Sequence, residues 1–217
     1  MHPVKCVILL IAIAVLCSCS AAGAGGGADK TFTFYSEQGL DGYIKEVSGE
    51  GTYYNGSKEG TSVGIGNDAD SNPIRCFVSF DVSTLPLDAQ IESAVLRMYQ
   101  SGQTGLDSYS EPIGLGPVIV DTITYDSFTI GVDLFSGDTN GTDTTRIPLS
   151  SSYSANTWHE LDVKVAATDE VYGNHTGRIQ FRLRHHDWPD GTSPEQTDGW
   201  VMGDSATNRP ELVIKLT

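Results

Sequence analysis

Residues 75–99 read RCFVSFDVSTLPLDAQIESAVLRMY, and this stretch decides the fold. Cys76, Val78 and Phe80 alternate with Arg75, Phe77, Ser79 and Asp81, while Ala94, Leu96 and Met98 alternate with Val95, Arg97 and Tyr99. A period of two residues places each set on one face of a sheet. The connection Ser83–Ala89 is too long for a tight hairpin. Pro86 within it has a fixed φ and no N–H to donate, so it fits a connection and not a central strand. The two runs therefore predict two strands in the core of an all-β domain.

Working outward, the same period recurs. Residues 30–36, 43–47 and 62–66 form a first group of predicted strands. Residues 117–124 (PVIVDTIT), continued by 128–134, and residues 157–165 (TWHELDVKV) follow. In the last of these, Trp158, Leu161 and Val163 are apolar. Residues 178–184, 199–203 and 211–216 complete the set, and 166–172 could form one or two helical turns. Residues 51–60, 100–116 and 137–145 are rich in turn-forming residues and are predicted as loops. The architecture this implies is a single antiparallel β-sandwich of jelly-roll type over residues 30–217, with no internal repeat.

Composition agrees. The chain has 217 residues, 24 of them glycine, enough to bury a substantial core without disulfides or metal. Its 28 acidic residues against 13 Lys plus Arg give a net charge of −15. That balance opposes general binding to nucleic acid or anionic lipid and leaves carboxylates for calcium.

Residues 1–18 read as a leader. Lys5 supplies a positive start, and Val7 to Leu16 is an apolar run short of the ~20 residues that span a bilayer. Leu16-Cys17-Ser18-Cys19 is similar to a bacterial lipobox, which makes Cys19 the expected lipidated residue, with residues 19–29 a small-residue tether. Cleavage near Ala21 to Ala24 is the alternative. Only Cys76 of the four cysteines falls in the domain, so no internal disulfide is expected. Asn55, Asn140 and Asn174 head N-x-Ser/Thr sequons, which mark exposed loops.

The 75–99 stretch resembles the R-x-F-L-x-F-D-x-S-x-L-P-x-x-A-x-I-x-S-A-x-L-R-x-Y pattern of the disaggregatase-related, DNRLRE-type modules. Asp41-Gly42-Tyr43, Val63 to Asp68, Gly203 to Ala206 and Arg209 to Ile214 fit the same pattern. The likeness spans residues 32–217, with a poorly matched middle near 101–157. It implies a β-sandwich of an extracellular protein, in a family of which some members bind carbohydrate.

The residues themselves suggest where a ligand could sit. In Arg178 to His186 (RIQFRLRHH), Ile179, Phe181 and Leu183 point one way, and Arg178, Gln180, Arg182 and Arg184 the other. Guanidinium forks pair with carboxylates and sulfates, so this face is a candidate for an acidic polysaccharide, with Arg97 joining if the strands are close. The alternative is that these arginines pair with the protein's own surplus acids. Tyr53, Tyr54 and Trp188 are candidate sugar platforms on loops, while Trp158 and Trp200 are expected in the core. Asp68 and Asp70 in Asn67-Asp68-Ala69-Asp70-Ser71-Asn72 could hold Ca²⁺, although such turns are ordinary without a metal. There is no Gly-x-Ser-x-Gly elbow, His-Glu-x-x-His helix or P-loop. The expected function is thus a non-catalytic, cell-surface module binding polysaccharide. A protein-contacting adhesive module is the second reading. A small lyase using Arg182, His185 and Tyr53, or a hydrolase, is the third.

Overall fold

The computed structural model describes residues 30–47, 52–56, 61–86, 88–105, 115–125, 147–150, 152–174, 176–186 and 195–217. The strands are β1 (Lys30–Tyr35), β2 (Gly42–Val47), β3 (Thr52–Gly56), β4 (Ser62–Asn67), β5 (Pro73–Asp81), β6 (Ile91–Gly105), β7 (Val118–Ile123), β8 (Ile147–Ser150), β9 (Thr157–Asp162), β10 (Arg178–His185), β11 (Gln196–Val201) and β12 (Glu211–Leu216). A short helix, α1 (Lys164–Asp169), widens into a π-helical turn, Glu170–Asn174. The strand pairings are antiparallel, and the twelve strands join in one curled sheet, consistent with the all-β sandwich and jelly-roll class expected.

β6 is the spine. Its 15 residues pair along one edge with β12 and then β11, and along the other edge with β9. The second half of β6 (Gln100–Gly105) was expected to be loop. Its residues are small and polar because three strands cross there with glycines in register, Gly102 opposite Gly199 and Gly199 opposite Gly64. Nearby Gly66 has φ +128°, and a Cβ there would sit 2.0 Å from the Gln196 carbonyl oxygen, so only glycine fits. β3 was likewise expected as loop, and β8 was not expected. β11 begins at Gln196, three residues before the expected start.

Two apolar clusters hold the sheet. The main core lies between its layers and contains Cys76, Val78 and Phe80 from β5, Leu96 and Met98 from β6, and Phe181 from β10. A second, smaller cluster of Ile44, Phe77, Ile123 and Tyr125 sits on the opposite face of β2, β5, β7 and β10. Both faces of β5 are therefore buried, which is why its sequence runs nearly continuously apolar from Cys76 to Phe80.

Candidate functional sites on two sheet faces

The arginines of β10 do share one face, as their spacing predicts, but that face is not open to solvent. Arg182 is 4% exposed and Asp121, its partner across from β7, is 1% exposed. Arg182 donates to Asp121 Oδ2 from Nε at 3.0 Å and from Nη2 at 2.8 Å, and Arg184 Nε donates to the same oxygen at 2.8 Å. Burial alone would raise the Asp121 carboxyl. The hydrogen bonds and charges of Arg184 and Arg182 outweigh it and hold the carboxyl below its usual range. Arg75 is buried beside them. Burial, then the charges of Arg182 and Arg184, pull it down to about 8 against the pull of Asp121 and Glu46. Arg178, at the exposed end of the strand, grips Glu37 through Nε at 2.9 Å and Nη2 at 3.3 Å. Each arginine of the expected acidic-glycan face, Arg178, Arg182 and Arg184, is thus matched to a carboxylate of the chain, and Arg182 lies within the fold.

Arg97 does not join this group. It lies on β6, where Nε donates to Glu160 at 3.0 Å and Nη1 to Glu211. These three residues form a single cross-strand row, since Arg97 opposes Glu211 of β12 and Glu160 of β9.

Asp68 and Asp70, the expected calcium ligands, lie in the turn between β4 and β5. Asp68 Oδ1 accepts the N–H groups of Asp70 and Asn72 at 3.0 and 2.8 Å, and Oδ2 accepts Lys45 Nζ at 2.9 Å and Asn72 Nδ2 at 3.1 Å. Both oxygens face donors, with the lysine ammonium at the position a cation would take; Asp70 is exposed. This is turn chemistry. Among the described residues no group of three His, Cys, Asp or Glu side chains could hold a metal. Tyr53 and Tyr54 lie on strand β3 and not on a loop. Trp188 and Cys19 lie outside the described residues. Of the residues weighed for a lyase, His185 faces the core side of β10, where Nε2 lies 3.0 Å from Asp198 Oδ2 and Nδ1 lies 2.7 Å from the Gly116 carbonyl, while Arg182 faces away.

The second sheet face has a different character. Trp158 was expected in the core, yet it shares its face of β9 with Glu160 and Asp162, and Leu161 is the inward residue. Glu160 is 60% exposed, so this face meets water. Trp158 pairs across the strands with Tyr99, ring centroids 5.4 Å apart and nearly perpendicular, and the Arg97 guanidinium stacks 4.8 Å from the indole centroid. Such contacts fix an aromatic group at a surface. Val95, Val213 and Lys215 extend the face, and Tyr35, half exposed beneath Arg209 at 5.0 Å, ends the Arg97 row. The signal for this site was in the sequence: Trp158 has the parity of Glu160 and Asp162, not that of Leu161 and Val163. No protein-family model matches the chain, and no curated protein matches it.

Proposed function

We propose that the protein is an extracellular, non-catalytic module that binds an uncharged polysaccharide across the outer face of β12, β6 and β9. The observation that supports this reading is the partly buried Trp158–Tyr99 pair, braced by Arg97 on the solvated face of β6 and β9. An indole and a phenol ring offer apolar surfaces to the C–H faces of sugars and polar tips to their hydroxyls. The charge of Arg97 is already balanced by Glu160 and Glu211, and the chain carries −15 overall, so an anionic chain gains little here and is repelled at longer range. Leu16 to Cys19 and the likeness to DNRLRE-type modules support a secreted, lipid-anchored setting. A glycan array probed with the purified protein tests the reading. Binding to neutral polysaccharides, unchanged by EDTA, is expected. An array on which nothing binds would remove the glycan reading in favour of a protein-contacting surface.

A further inference from the structure

A second concavity lies away from that face, between α1 with its π turn and the ends of β7 and β10. It is an open cleft of about 970 Å³, at the upper end of the ~300–1,000 Å³ typical of small-ligand sites. Thr122, Thr124, Asp169, Tyr172 and Arg178 contribute to its wall. The Tyr172 ring is 50% exposed, while its hydroxyl donates to the Ala89 carbonyl, so the ring is held as a fixed plate. The floor is already satisfied. Glu170 accepts the Gly177 N–H at 2.6 Å and the Thr176 hydroxyl at 3.0 Å, and the Gln180 amide is engaged by Tyr125. By contrast, the Asp169 carboxylate and the Thr122 and Thr124 hydroxyls make no hydrogen bond or ion pair among the described residues. The cleft thus offers one carboxylate, two hydroxyls and one aromatic plate. That set suits a sugar ring, whose hydroxyls can donate to the carboxylate while its apolar face covers the ring.

An adjoining recess narrows the choice. Thr122 and Ala166 line both the cleft and an apolar pocket of about 250 Å³ walled by Val120, Leu161, Val163 and Phe181. A bare hydroxyl pointed into such a pocket would lose its water without gaining a partner, whereas a methyl group gains by burial. The Thr122 hydroxyl on the shared wall can bond an amide next to that methyl. We propose that the α1 cleft is a separate site for an N-acetylated hexosamine chain, the sugar lying between Tyr172 and Asp169 and its acetyl methyl entering the apolar recess past Thr122. This site is independent of the Trp158 face, so either can fail without the other.

Titration calorimetry with the β-1,4 tetramer of N-acetylglucosamine, against the β-1,4 tetramer of glucose, tests it. The two share linkage and charge and differ at the acetamide. The acetylated tetramer is expected to bind about tenfold or more tightly than the glucose tetramer. Asp169→Asn and Thr122→Val should each weaken it severalfold, and Trp158→Ala should leave it unchanged. Asp169 is exposed and Thr122 partly buried, and matching thermal melts confirm folded variants. Equal binding of the two tetramers would overturn the acetyl assignment. No binding of the acetylated tetramer, or binding unaffected by both cleft variants, would overturn the site. Loss confined to Trp158→Ala would place the ligand on the sheet face instead.

Discussion

β10 and β6 make the same statement in sequence and opposite statements in space. Each alternates core-facing apolar residues with a second set that contains arginine, three in β10 and one in β6, and each turns that set away from the main core. On β10 the arginine face lies beside a second apolar cluster, and Arg182 is buried on Asp121. On β6 the arginine face is solvated, and Arg97 lies over an indole between two carboxylates. The difference teaches that alternation tells which residues share a face and not whether that face is wet. The clue to wetness sits on the neighbouring strands. Beside β10, β5 contributes Phe77 and β7 contributes Ile119 and Ile123; beside β6, β9 contributes Glu160 and Asp162.

The contrast is sharpest in stability. Asp121→Ala should leave two arginines without their shared counter-charge in the interior, at a cost of about 3–5 kcal/mol, read by urea denaturation. A cost near that of a surface ion pair would show that the β10 face is wet after all.

A second buried aspartate has the opposite character and the next largest effect. Asp41 is 3% exposed and forms no ion pair among the described residues. Its Oδ1 accepts the Ser79 N–H at 3.0 Å, and Oδ2 lies against Ser36 and Gly203 without a well-aligned bond. Burial is the chief cause that pushes its carboxyl from 3.8 up to about 7, and the Ser36, Ser79 and Gly203 contacts only partly oppose this. Between those two values the folded chain holds a proton that the unfolded chain has released. Its contribution is therefore fully present below pH 3.8 and is lost as pH rises to about 7, by up to roughly 1.4 kcal/mol per pH unit. Asp121, whose carboxyl is held low, contributes in the other direction, and its part is lost as pH falls through the acid range. Denaturation from pH 4 to 7 should show Asp41→Asn flattening the fall in stability. An unchanged slope would mean that Asp41 is ionised in the fold.

The smaller effects belong to the surface. Asp68→Ala removes two turn bonds, a bond from the Asn72 amide and a partly exposed ion pair, and should cost about 1–2 kcal/mol. EDTA should leave the melting temperature of the native protein unchanged, and a clear drop would restore a metal to this turn. Glu160→Gln on the β6 face should shift stability by less than about 1 kcal/mol, because that pair is solvated.

Much of the fold was legible from residues alone. The β5 and β6 runs, the inward Cys76 and the all-β class follow from a two-residue period that backbone geometry enforces. The strands at Gln100–Gly105 and Thr52–Gly56 were hidden, because a strand held by glycine rows or by pairing at the sheet margin carries little apolar signal. The site was less legible. Trp158 could be placed by counting parity from Glu160, but Asp121 as the shared partner of Arg182 and Arg184 depends on β7 lying next to β10, a pairing no local pattern encodes. The Tyr172 cleft depends on a short helix packing at a sheet end, which is equally non-local.

The most direct test of the central claim compares two variants on one glycan array: Trp158→Ala on the β6–β9 face and Arg184→Ala on the β10 face. The account expects binding of neutral polysaccharides without N-acetyl groups to be lost in Trp158→Ala and kept in Arg184→Ala, with both variants folded by circular dichroism. Binding that survives Trp158→Ala and disappears with Arg184→Ala would contradict it and return the site to the arginine strand.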